Sequence, residues 1–167
     1  MSTLQARPVD AADAPSKQAL RLWLRLLSCT NLIEQAVRAR LRNDFGVTLP
    51  QFDVLAELDA ASGPQTMTGL SQRLMVSNGN VTGVVDRLER AGLVTRTASS
   101  SDRRVQFIAL TDAGRARFAE VAAAHEAWVA ELLAEVGAAD VERLLELLAE
   151  TKRAVQQRVG TPHPEAG

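Results

Sequence analysis

MTGLSQRLMVSNGNVTGVVDRLERAGLVTRTASSSDRRVQFIALTDAG, residues 67–114, decides how the chain is read. A helix opens at Thr68, whose hydroxyl suits the free N–H groups of a first turn, and continues through Leu70, Leu74 and Met75. Val76-Ser77-Asn78-Gly79-Asn80 then breaks the apolar spacing with small, turn-prone residues. Val81, Val84, Val85 and Leu88 restore a helical stripe, so a second helix starts between Ser77 and Asn80. Its other side carries Asn80, Thr82, Gly83, Asp86, Arg87 and Arg90. Small residues at the leading end let a backbone approach base edges; Asn pairs two atoms of adenine, and Arg grips phosphate or guanine. The same face also suits any solvated helix, and two short helices alone do not separate these readings.

The residues that follow do. Ala91-Gly92 stops the second helix, Leu93 to Thr97 reads as a strand, and Ala98 to Asp102 is a small polar loop. Arg104 to Leu110 alternates so that Val105, Phe107 and Ala109 share one face. Arg103 sits at the hairpin tip, where an arginine gains little from packing and much from a narrow, negatively charged minor groove. Asp102 is placed to tie down Arg104 instead, the arrangement expected of a merely solvated hairpin. The expected architecture is mainly α with a small β-wing, a winged helix-turn-helix. Its expected DNA contacts are Thr68, Arg73, Ser77, Asn78, Asn80, Thr82, Arg87, Arg103 and Arg104.

Three blocks carry a resemblance: Asp86-Arg87-Leu88-Glu89-Arg90-Ala91-Gly92-Leu93-Val94, then Asp102-Arg103-Arg104, then Leu110-Thr111-Asp112-Ala113-Gly114-Arg115. In that order they resemble the signature of the MarR family of bacterial transcriptional regulators, and the likeness extends from about Leu20 to Val155. It implies a homodimeric, double-stranded-DNA-binding regulator. It also implies that a small effector, an aromatic acid or its CoA thioester, binds between a helical dimer layer and the winged domain.

The 167 residues suffice for one subunit, and 46% hydrophobic residues supply its core. A net charge of −1 argues against nucleic acid until its distribution is considered. Residues 71–104 carry +3, residues 105–167 carry −4, and residues 1–70 cancel, so positive charge is focused on the segment with the helix pair and wing. One cysteine excludes an intramolecular disulfide, no His/Cys set has zinc-ligand spacing, and neither metal nor cofactor is expected. No apolar run is long enough for a signal peptide core or a membrane span, which makes a cytoplasmic location the expectation.

Outside the central stretch, residues 1–15 and 159–167 read as mobile tails, 48–111 as the DNA-binding domain, and 16–47 with 112–158 as a helical dimerisation region. A long helix runs from Ser16 or Lys17 to Asp44, with Leu22, Leu26, Cys29, Ile33, Val37 and Leu41 as one stripe and Leu20, Trp23, Leu24 and Leu27 as a second. Phe45-Gly46 ends it, and Gln51 to Ala60 forms the next helix after Leu49-Pro50. After the wing, Thr111 or Asp112 caps a helix reaching Val136, and Val141 to Val155 marks the last. A monomeric helical hairpin is the competing reading of these end helices. Dimerisation is preferred because they hold more leucine than a small winged domain covers.

Effector-binding candidates are Trp23, Ser28, Thr30 and Asn31 on the first helix, Phe52 on the second and His125 beside Trp128. His125 also suits a core edge, and both tryptophans suit dimer packing. Cys29 offers a redox-sensing alternative. The resemblance implies that hydroperoxide sensors hold their thiol with tyrosines, however, and this chain has none, so Cys29 on an apolar stripe is read as a buried structural thiol. Zinc-sensing relatives use several His ligands, whereas His163 lies in the tail. No nucleophile with an evident base and no phosphate loop supports an enzyme, while a winged helix that binds protein remains a competitor.

Overall fold

The computed structural model describes residues 13–100, 102 and 104–159; Arg103, His163 and most of both expected tails lie outside the described residues. The first helix, α1, spans Asp13–Phe45. Its apolar stripe is covered only toward the end, where Val37 and Leu41 are buried; Leu20, Leu22, Trp23, Leu24, Leu27 and Leu32 are all exposed. Gly46 adopts the left-handed conformation, φ +64°, which lets the Val47 N–H reach back to the Leu41 carbonyl and closes the helix. Helix α2, Leu49–Ala60, starts at Thr48, whose N–H and hydroxyl both donate to Gln51 Oε1.

Gln65–Thr66 forms β1, a two-residue strand that sequence periodicity does not reveal. Helix α3, Met67–Leu74, follows directly, and its cap is Thr66 rather than Thr68: Thr66 Oγ1 accepts from the Gly69 N–H at 3.0 Å. Thr68 lies within the first turn, exposed. Met75 also departs from expectation. It is not an apolar helix position but the left-handed cap of α3, φ +53°, with 84% of its surface exposed.

Helix α4, Asn78–Arg90, is capped by Ser77 and closed by Gly92, φ +71°, with the Leu93 N–H bonded to the Leu88 carbonyl. Strands β2, Val94–Ala98, and β3, Gln106–Leu110, form the wing, and the antiparallel sheet order is β1-β3-β2. Phe107 and Ala109 do share a face, yet the buried face is the other one. Val94 lies in register with Leu110, and both join Ile108 inside. The core is a single cluster in which Val54, Leu55 and Leu58 of α2, Leu70 of α3, and Val81, Val84, Val85 and Leu88 of α4 meet these three strand residues.

Helix α5, Asp112–Leu132, ends four residues before the expected Val136. Thr111 is its cap: the hydroxyl accepts from the Gly114 N–H at 2.9 Å and donates to the Gly92 carbonyl at 2.7 Å, tying the start of α5 to the end of α4. The chain divides into two compact units, Met1–Trp128 and Val129–Gly167. In the second, α6, Ala138–Val159, has no buried residue; Leu144, Leu145, Leu147, Leu148 and Val155 are exposed on it.

Candidate nucleic-acid interface

Helix α4 sends every apolar side chain of its stripe into the core, so its polar residues are left to solvent. The leading end is Ser77, which accepts from the Asn80 N–H, followed by Asn80 and Thr82, both exposed. The Thr82 hydroxyl donates to the Asn78 carbonyl, and Asn80 keeps its amide free of other side chains among the described residues. Asn78 is differently placed. Its Oδ1 accepts from the Ser71 hydroxyl, so this side chain braces the helix-turn-helix turn.

The arginines separate in the same way. Arg73 of α3 donates to Glu57 at 2.9 Å and to Gln65, which commits it to the scaffold. Arg87 and Arg90 lie exposed along α4, each giving only its Nε to a carbonyl one turn back. At the wing, the Asp102 carboxylate accepts from the backbone N–H of Arg104 at 2.9 Å. Asp102 thus ties down the main chain of Arg104 while the guanidinium keeps no partner among the described residues. An exposed, uncommitted cation on a hairpin tip is costless to solvate and available to phosphate.

Arg96 is the residue that sequence reading missed. Paired with Ile108 across the sheet, it lies on the inward side of β2 and reaches α4, where Asp86 accepts from it and Glu89 Oε2 lies 3.2 Å from its Nε. Arg96 is largely buried and joins the wing to α4, so the two candidate DNA-contacting elements are held as one body. Its signal in the sequence was only an arginine alternating with threonines.

The expected effector residues do not assemble. Phe52 and His125 do meet, stacked with centroids 4.6 Å apart, and Phe118 packs on Phe52 at 5.7 Å. Burial there pushes the His125 pKa below its ordinary value. Trp23, Ser28, Thr30 and Asn31 are all exposed on α1. Trp128 packs on Phe45 at 5.8 Å with Arg40 over its ring. Cys29 is exposed as well, contrary to the buried thiol expected, because no part of the described chain covers that portion of the α1 stripe.

A cleft of about 530 Å³ instead opens between α1, α2 and α4. Glu34 and Arg38 border it from α1, Pro50 and Asp53 from α2, Asn80 and Arg87 from α4. Burial, aided by the negative charges of Glu34 and Glu57 and opposed by Arg38, raises the Asp53 pKa to about 6. The raised value means that folding favours the protonated acid. Its stabilising contribution is complete below the ordinary value of 3.8 and is lost as pH climbs through about 6. Asp53→Asn should therefore raise the melting temperature at pH 7.5 and leave it nearly unchanged at pH 3.5. Thermal denaturation of both proteins across this range checks it; His125 titrates in both and drops out of the difference.

Residues 47–105 match the MarR family. The chain is 34% identical over 108 residues to the transcriptional activatory protein BadR of Rhodopseudomonas palustris, a match covering 64% of this chain and 61% of that protein. It is 40% identical over 88 residues to the HTH-type transcriptional repressor MdtR of Bacillus subtilis, covering 53% and 56% of the two chains. The crystal structure of a MarR family transcriptional regulator from Silicibacter pomeroyi superposes with a TM-score of 0.74 at 31% identity, covering 85% of this chain and 98% of that one. BldR from Sulfolobus solfataricus gives a TM-score of 0.75 at 27% identity, covering 87% and 99%. These relatives are named as transcriptional regulators, not enzymes, and no helix among the described residues is long and apolar enough to cross a membrane.

Proposed function

The chain belongs to the MarR family of winged helix-turn-helix regulators, and from that premise we propose that it is a sequence-specific transcriptional repressor that binds a pseudo-palindromic operator as a homodimer and is released by a small molecule. One observation carries the DNA-binding reading: Arg104, whose guanidinium has no partner among the described residues, lies on the wing and is joined through the β2 strand and Arg96 to a helix whose polar face is exposed. Asn80 and Thr82 are the proposed base readers, and Arg87, Arg103 and Arg104 the proposed phosphate or minor-groove contacts. Ser77, Asn78 and Arg73 set the geometry of the turn, and Thr68 is exposed beside it.

The dimerisation region, residues 16–47 with 112–158, is proposed from the leucine-rich surfaces that α1 and α6 leave exposed. Two copies related by a dyad present their α4 helices to major grooves about 34–36 Å apart. Release then follows as a population shift, because an effector that binds better to the wrong spacing weakens operator affinity by its differential affinity. Cys29 is exposed in the single described chain, and an oxidant-responsive regulator is the second reading, one that requires the dimer to leave this part of α1 uncovered.

Binding of the protein to its own upstream DNA across a salt series tests the reading. Affinity should fall steeply with salt, and the magnitude of the log–log slope should shrink by about 0.9 for each phosphate contact removed. In a dimer each substitution counts twice, so Arg104→Ala or Arg87→Ala should lower it by about 2. Unchanged affinity and slope in both variants would favour a winged helix that binds protein.

A further inference from the structure

We propose that Ser71 is a specificity-determining residue of DNA recognition: its buried hydroxyl holds Asn78 by the amide oxygen, so that the Asn78 NH2 group faces out to read a hydrogen-bond acceptor on a base edge, guanine or thymine. This rests on the reading of the chain as a sequence-specific regulator and names how one position of its operator is chosen.

Ser71 is the one buried polar residue among the described residues, 6% exposed on α3 beside the fully buried Leu70. A polar group withdrawn from water in this way has to be satisfied within the chain. Two acceptors lie within reach of its Oγ, the Thr68 carbonyl at 2.9 Å and Asn78 Oδ1, and the hydroxyl has one proton. Thr68 lies in the first turn of α3, where the helix supplies its carbonyl with the N–H four residues on. Asn78 Oδ1 has no other donor among the described residues. The proton therefore goes to Asn78, and the bond joins α3 to the first residue of α4 across the turn.

The first turn of α4 is fixed on both sides of this side chain. Ser77 caps the helix by accepting from the Asn80 N–H, and the Asn78 carbonyl accepts from the Thr82 hydroxyl at 2.9 Å. With its oxygen turned toward α3, the exposed Asn78 amide leads into solvent with its two N–H donors. Gly79 leaves the space beside it open, since a Cβ there would meet nothing within 4 Å. Asn80, by contrast, keeps both its oxygen and its NH2 free of other side chains, the combination that pairs with adenine. The two asparagines thus offer different chemistry. The donors of Asn78 match guanine O6 and N7 or thymine O4, and they are not matched by the amino groups of adenine and cytosine.

Competition binding of the full chain to its own upstream DNA, with each base pair replaced in turn in both half-sites, tests this. Wild type should lose roughly tenfold or more where the guanine or thymine read by Asn78 is replaced. Ser71→Ala should flatten the preference at that base pair to within about twofold and leave the preferences at other base pairs in place. Asn78→Ala should do the same, and adding Ser71→Ala to it should change nothing further. Asn78→Asp keeps an oxygen for Ser71 and presents a second oxygen outward, so its preference at that base pair should turn to cytosine. Asn78 is exposed, so this variant stays folded however the core tolerates Ser71→Ala, and melting temperatures verify both. The proposal is overturned by a Ser71→Ala protein with the wild-type base profile, or by an Asn78→Asp protein that still prefers guanine or thymine. A uniform loss at every base pair in Ser71→Ala or Asn78→Ala also overturns it, since that marks a phosphate contact or a merely structural bond. A wild-type protein that prefers no base pair at all would overturn the regulator reading itself, a failure distinct from a flat response at one position.

Discussion

Gly114→Ala should destabilise the winged domain by roughly 3 kcal/mol or more, at the upper end of what overpacking a close-packed interior costs. A Cβ at this position would lie 2.0 Å from the Leu93 carbonyl oxygen and 2.9 Å from its carbon. Both are backbone atoms, so no rotamer change relieves the contact. The same carbonyl accepts from the Thr111 N–H at 3.0 Å, and Thr111 holds both Gly92 and Gly114 through its hydroxyl. Moving α5 away from Leu93 therefore breaks the joint between the end of the recognition helix and the start of α5. Chemical denaturation should show a lowered midpoint with an unchanged slope, and operator affinity should fall with it. Gly83→Ala is the matched control. Its Cβ would meet only the flexible Arg87 guanidinium, at 3.6 Å, so α4 should keep its stability. A Gly114→Ala protein as stable as wild type would mean that the α5–Leu93 contact is far looser than its geometry.

The central stretch was legible because its two helices show apolar stripes at helical spacing and its hairpin contains a real alternation. Each failure has a local cause. A two-residue strand such as Gln65–Thr66 has no period to detect, and the helix cap moved from Thr68 to Thr66 because both are threonines one turn apart from suitable N–H groups. The alternation in β3 identified two faces without saying which was inside; that was decided by the partner Val94 across the sheet. Met75 fits an apolar pattern and nevertheless takes a left-handed turn, a position fixed by the next helix.

Polar partners were the hardest to read. Asn78 and Arg73 have the residue types of DNA contacts, and the structure adds intrachain partners that the sequence does not show, Ser71 for Asn78 and Glu57 with Gln65 for Arg73. Asp53 lies between Phe52 and Val54 and resembles an ordinary solvated acid until the elements that crowd it are assembled. Cys29 failed for the opposite reason. Its stripe predicted cover, and the single described chain supplies none there.

The second stripe of α1, also uncovered, leads to the other large effect: Trp23→Glu combined with Leu27→Glu should convert a dimer into monomers and lower operator affinity by about 10²–10⁴-fold. Leu20, Trp23, Leu24 and Leu27 recur at helical spacing on α1, and Trp23 and Leu27 are 57% and 40% exposed in the chain. In a monomer, exchanging such exposed side chains for glutamate changes stability by about 0.5 kcal/mol or less, so the winged domain should remain folded. In a dimer they become buried. Symmetry then places four uncompensated carboxylates in one apolar interface, each costing several kcal/mol, which exceeds what the remaining contacts supply. Affinity collapses because the second half-site is no longer bound at high effective concentration. Sedimentation should report half the wild-type mass, circular dichroism an unchanged helical signal, and operator titration a loss far larger than that of any single arginine variant. A wild-type protein that sediments as a monomer, or a doubly substituted one that remains dimeric, would place the interface elsewhere and leave the exposed leucines of α1 to another partner.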